Sequence, residues 1–185
     1  RYHPTLNKAH ELIQAGAIGK ILTVHAHWGE YLPQWHPWED YRASYAARAD
    51  LGGGVVRTLT HPLDYLRYLI GEVEALWSFN GHISPLELDV EDVAEIGLKF
   101  SNGAIGGVHL NYVQRPPRHT LEIVGTQGTL RWDNTDGILH HYKFPAPFAS
   151  YSDNPPAPVI ETFSPPEGFE RNQLFVSQMR HFIET

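Results

Sequence analysis

The chain has 185 residues, 42% of them hydrophobic and 19% charged, with a formal charge of −7 and no cysteine. A chain of this length buries roughly 70% of its unfolded surface, so it needs neither disulfide nor metal to hold a core. The missing cysteines exclude thiolate chemistry and cysteine-bound metal centres, the scattered Lys and Arg exclude the basic footprint of a nucleic-acid binder, and no apolar run has the length of a membrane span.

Residues 4–16 read as a helix. Leu6, Ala9, Leu12 and Ile13 recur at helical spacing, Pro4 suits the first turn, and Gly16 and Gly19 bracket the end. Residues 20–28 then read as a strand, with Ile21, Leu22, Val24 and Ala26 as its apolar positions. Residues 29–50 carry Tyr31, Trp35, Trp38, Tyr41 and Tyr45 among prolines and charges, which describes a long aromatic connection. Gly52-Gly53-Gly54 punctuates the chain, and a helix should follow as far as Ile70. Pro62 must either kink that helix or sit in the first turn of a restarted one. A kink is the preferred expectation.

From residue 73 the period changes to two. Residues 73–84, 92–100, 104–113, 120–124, 129–132 and 138–143 read as strands. Ser101-Asn102-Gly103, Gly125-Thr126-Gln127-Gly128 and Asn134-Thr135-Asp136-Gly137 provide the turns of an antiparallel meander. The Pro-rich and Ser-rich stretch 145–168 reads as an extended loop, and 170–184 as a closing helix. This order predicts one α+β domain over 1–185, with a predominantly antiparallel sheet covered by helices on one face. The other face, around 92–113, is expected to make a homo-oligomer contact.

Several of these segments, in order, resemble the Gfo/Idh/MocA oxidoreductase family. They are Arg1-Tyr2-His3-Pro4 before a helix ending Gly16-Ala17-Ile18-Gly19-Lys20, Gly52-Gly53-Gly54 with His61 seven residues on and Asp64-Tyr65 after it, and the late hairpin Leu121–Leu130. The resemblance implies the family's C-terminal, substrate-binding domain, of the dihydrodipicolinate-reductase-like type. It further implies a Rossmann domain ahead of Arg1 that holds most of an NAD or NADP cofactor, a carbohydrate-like or cyclitol-like hydroxy substrate, and a cytoplasmic enzyme. No Gly-x-Gly-x-x-Gly precedes a helix here, so the chain reads as a fragment, inactive alone and truncated at its C-terminus.

His61 is the candidate proton shuttle, because an imidazole near neutral pKa can take a hydroxyl proton and return it. The bland alternative is a packed, inert histidine. On one continuous helix Arg57, Thr58, His61 and Asp64 would share a face. Arg57 and Thr58 stand where many members carry an acid, so they are expected to bind substrate, and a chemistry altered from the family's acid–base relay is the alternative within the family. Asp64 either orients His61 or serves packing. Trp38, Tyr41 and Arg42 are the substrate contacts expected from the aromatic connection, since sugar faces stack on aromatic rings; covering the sheet is the competing role. His25, His27 and His140-His141 suggest metal by type, but no spacing joins three ligands, so no metal site is expected. His109, Asn111, Arg115, Arg118 and His119 either border a cleft or form a solvated edge. The rival from another class is a non-catalytic sugar-binding or oligomerisation module.

Overall fold

The computed structural model describes residues 1–146, 148–149 and 152–184. Four helices, α1 (Pro4–Gln14), α2 (Val55–Thr58), α3 (His61–Ile70) and α4 (Asn172–Glu184), accompany eight strands. The strands are β1 (Ile21–Tyr31), β2 (Val73–Gly81), β3 (Val93–Phe100), β4 (Ile105–Asn111), β5 (Val113–Gly125), β6 (Gly128–Asp133), β7 (Leu139–Lys143) and β8 (Val159–Phe163). They form one sheet in the order β2-β3-β4-β1-β5-β6-β7-β8. The fold is thus the expected α+β one, with most neighbours antiparallel.

The uninterrupted meander needs correction. β1 inserts between β4 and β5 and runs parallel to β4, so the sheet is two antiparallel ribbons joined across a central strand. Two strand segments were also invisible to the period-two reading. β5 begins at Val113 rather than Thr120, because Pro116-Pro117 masks a bulged extension whose Val113 still pairs with Tyr31. β8 lies within the stretch read as loop, where five residues pair with β7 at the sheet edge. Pro147, Ser150 and Tyr151 of that stretch lie outside the described residues.

Alternation along the strands decides what is covered. Val24, Ala26, Leu121, Ile123, Leu130 and Trp132 face the helices and are buried with Leu6, Ala9, Tyr65, Leu66 and Leu69. His25, His27, His109, Glu122 and His140 face the other way and line an open trough.

The stretch 55–70 is two helices rather than one kinked helix. α2 ends at Thr58, Leu59 leaves the helical region (φ −96, ψ 42), and α3 restarts with His61 as its first residue and Pro62 in its first turn. Proline is at home there because its missing N–H would have had no intrahelical partner. The three glycines ahead of α2 serve backbone packing. A Cβ on Gly53 would stand 2.3 Å from the Tyr45 carbonyl oxygen and 2.7 Å from that of Ala46, and Gly54 has φ +109. Val55 N–H then donates to the Glu91 carbonyl and Val56 N–H to the Glu91 carboxylate, which fixes where α2 and α3 begin. The loop before β3 is pinned by Asp92. Its fully buried carboxylate accepts the backbone N–H groups of Ile83 (2.8 Å) and Ser84 (3.0 Å) and the Ser84 hydroxyl.

Candidate functional site

A cavity of about 170 Å3 opens where the start of α3 meets the helix-facing side of β1, β5 and β6, with α4 as its outer wall. His61 and Asp64 come from α3, Trp28 from β1, His119 from β5, and Leu174 and Phe175 from α4. The restart at Thr60 puts His61 on this wall. Position 28 continues the inward set 24, 26, 28, which puts a tryptophan beneath it.

Trp28 is sandwiched between two imidazoles. The His61 ring lies 5.4 Å from it, centroid to centroid and 14° from parallel, and the His119 ring lies 4.4 Å away at 4°. Glu30 accepts the indole N–H at 2.9 Å and so fixes the ring's orientation. Trp132 meets His119 edge-on at 5.2 Å. Burial pushes the Tyr65 hydroxyl well above its usual range, so it keeps its proton and shares a long hydrogen bond (3.4 Å) with Nε2 of His119.

The two histidines differ in what they can do. Burial drives His119 down to about 3, with His61 adding to the effect and Asp133 opposing it, so His119 is a neutral wall. Burial also lowers His61 from 6.5, and Arg171 adds to this while Asp64 opposes. Among the described residues neither ring nitrogen of His61 has a hydrogen-bond partner. It is therefore neutral at pH 7, and both nitrogens remain available to a ligand.

The other residues singled out from sequence are placed differently. Asp64 lines the same cavity, but Arg1 clamps it at 2.6 and 2.9 Å. Arg57 and Thr58 do not share the helix of His61, because the break at Leu59–Thr60 intervenes. Arg57 lines a separate groove with Asn80, His82 and Glu91, and Thr58 lines a cavity next to Trp28. Trp38 is 80% exposed and packs on His36. The Tyr41 hydroxyl accepts from Glu87 N–H, and Arg42 is forked between Asp40 and Glu87. None of these last three lines the His61 cavity. Among the described residues no three metal-ligating side chains converge. The sequence reading missed Trp28, Tyr65, Trp132 and Arg171, and left His119 on an edge. Extending the inward alternation of β1 by two residues would have found Trp28.

Residues 6–131 match the family model of the GFO/IDH/MocA C-terminal domain. The chain belongs to that family. A curated GFO/IDH/MocA relative, levoglucosan dehydrogenase of Pseudarthrobacter phenanthrenivorans, is 30% identical over 156 residues, which cover 70% of this chain and 39% of the relative. The solved complex of a levoglucosan dehydrogenase with NADH and levoglucosan superposes with a TM-score of 0.80 at 22% identity, covering 98% of this chain and 53% of that one. An inositol dehydrogenase homologue with NAD+ from Azotobacter vinelandii gives 0.71 at 16% identity, covering 94% and 44%. The chain thus spans about half or less of these relatives' length. No described helix is long and apolar enough to cross a membrane.

Proposed function

We propose that this chain is the substrate-side domain of a nicotinamide-dependent dehydrogenase acting on a sugar-like or cyclitol-like alcohol, with His61 as its proton shuttle. The observation that carries the reading is the imidazole at the start of α3, kept neutral by burial and with both nitrogens unbonded at the wall of a cavity. A neutral imidazole takes the hydroxyl proton while the carbinol hydrogen leaves with its electron pair, and returns a proton in the reverse direction. The chain offers aromatic faces and a base at this cavity but no phosphate-cradling glycine loop. It therefore fits the alcohol end of the reaction, with the cofactor's phosphates held by a Rossmann domain preceding Arg1. NAD or NADP, when bound, supplies the hydride acceptor. The levoglucosan dehydrogenase solved with NADH and levoglucosan and the inositol dehydrogenase homologue solved with NAD+ support this reading.

His61 works here without the family's acid three or four residues before it, since Arg57 opens onto a different groove. Trp28 takes over the positioning of the ring, and the Arg1 clamp keeps Asp64 ionised, with a pKa below the usual carboxylate range. The test is nicotinamide reduction at 340 nm by the full-length protein given NAD or NADP with levoglucosan, myo-inositol or D-glucose. Turnover with at least one pair is expected. Binding of a sugar without turnover of any pair would favour the non-catalytic module.

The open sheet face is proposed to bind a second copy of the chain. Trp77 and Phe79 on β2 and Ile105 on β4 are 54%, 78% and 62% exposed, and register places all three on the same outward face of the β2-β3-β4 ribbon. A Trp77→Glu, Phe79→Glu double variant is expected to halve the mass of the full-length protein in light scattering. A wild-type monomer refutes the contact.

A further inference from the structure

A second cavity, of about 400 Å3, shares Trp28 and Arg171 with the one in front of His61. Its remaining walls come from the end of β1, the chain after it, Pro117 of β5 and the end of α2. Tyr31, Trp35 and Tyr45 give it an aromatic lining.

Its polar groups are largely uncommitted. Glu30 uses one oxygen for Trp28, Gln34 makes no side-chain hydrogen bond, and Arg171 makes no ion pair among the described residues.

We propose that this cavity is a second subsite, seating an uncharged pyranose ring linked to the ring that reacts at His61, so that the substrate is a glycoside or disaccharide rather than a free monosaccharide. The proposal rests on reading His61 as the base of a sugar dehydrogenase. The first cavity is small, and a ring in it that extends past the shared walls enters the larger one. Aromatic faces suit the apolar face of a pyranose. Its hydroxyl oxygens accept from Arg171, and its hydroxyl hydrogens go to Glu30 and Gln34. The lining carries one carboxylate, Glu30, and one guanidinium, Arg171, while His36 is paired with Glu39, which leaves no net charge to select an ionised ligand.

The experiment compares kcat/KM of the full-length protein for levoglucosan, D-glucose and D-galactose with that for cellobiosan, cellobiose and lactose. At least one disaccharide is expected to exceed its monosaccharide tenfold or more. Trp35→Leu, which removes the aromatic face, should lower that ratio about tenfold. Tyr45→Ala should do the same, and Tyr45 is 53% exposed, so its loss spares the fold. A ratio is read because a general loss of activity moves both terms and leaves it unchanged. Turnover of monosaccharides with no disaccharide preferred, or a ratio untouched by both variants, overturns the subsite. Turnover of none of the six overturns the subsite, and if myo-inositol is not turned over either, the underlying reading falls with it.

Discussion

Replacing His61 with Asn in the full-length enzyme is expected to lower kcat/KM for alcohol oxidation by about a thousandfold, within the 10²–10⁴ range that positioned acid–base groups contribute. Asn keeps the polarity and much of the size of the ring, so the stack on Trp28 is thinned rather than emptied. The loss should therefore fall on kcat, with KM little changed, as for a group used mainly in the transition state. The pH profile gives a second readout. Oxidation needs the neutral imidazole, so wild-type kcat/KM falls as pH drops through the His61 pKa. Burial places that pKa below 6.5, so the acid limb lies below the usual histidine range. In His61→Asn that limb should vanish. Unchanged turnover in the variant removes His61 as the shuttle. A lost rate with an intact acid limb assigns the titration to another group.

The sequence carried the architecture better than the site. Alternation in β1, β3, β4 and β6 and the glycine-bearing turns around 101–103, 125–128 and 134–137 are local signals, and the structure follows them. The position of β1 inside the sheet is not local. Nothing in residues 21–31 says that their neighbours will be residues 105–111 and 113–125, because pairing at that separation depends on the packing of the whole sheet. Pro116-Pro117 and the proline-rich surroundings of β8 concealed strand because proline removes a donor, although a bulge or an edge tolerates that loss.

The site shows the same division. His61 was recognisable from its position after Gly52-Gly53-Gly54, whose spacing reflects real backbone constraints such as the Gly53 approach to the Tyr45 carbonyl. Its neighbours were sought one helical turn away, at Arg57 and Thr58, on the assumption of a continuous helix. The break at Leu59–Thr60 rotates those residues out of register and leaves β1 and β5 to supply the rings around His61. Tyr41 and Arg42 stand apart from the His61 cavity for another reason. They are sugar-binding residue types, but their polar groups are consumed by Glu87 and Asp40 in holding the loop. Residue type shows what a side chain can bind, whereas its partners decide what it has left to offer.

His119 should make this protein sensitive to acid. Its folded pKa is about 3 against 6.5 for an ordinary histidine, so between those values the unfolded chain binds a proton that the folded chain refuses. A group with a depressed folded pKa contributes stability that is fully present above its unfolded pKa and is lost as pH falls toward its folded pKa. The slope approaches about 1.4 kcal/mol per pH unit below pH 6, so about 2 kcal/mol is lost between pH 6.5 and 4.5. His3 and His61 are shifted in the same direction, which makes the wild-type dependence alone ambiguous. His119→Phe resolves it, because Phe keeps a flat ring against Trp28 and leaves the other two histidines in place. At pH 7.5 the variant should be less stable by about 1 kcal/mol, the worth of the bond with Tyr65. At pH 4.5 it should be the more stable of the two, because it has no proton to exclude. Urea unfolding of both full-length proteins at the two pH values, followed by tryptophan fluorescence, should show the order reverse. Curves that stay parallel would mean that His119 accepts its proton in the folded state, and its side of Trp28 would have to be open to water.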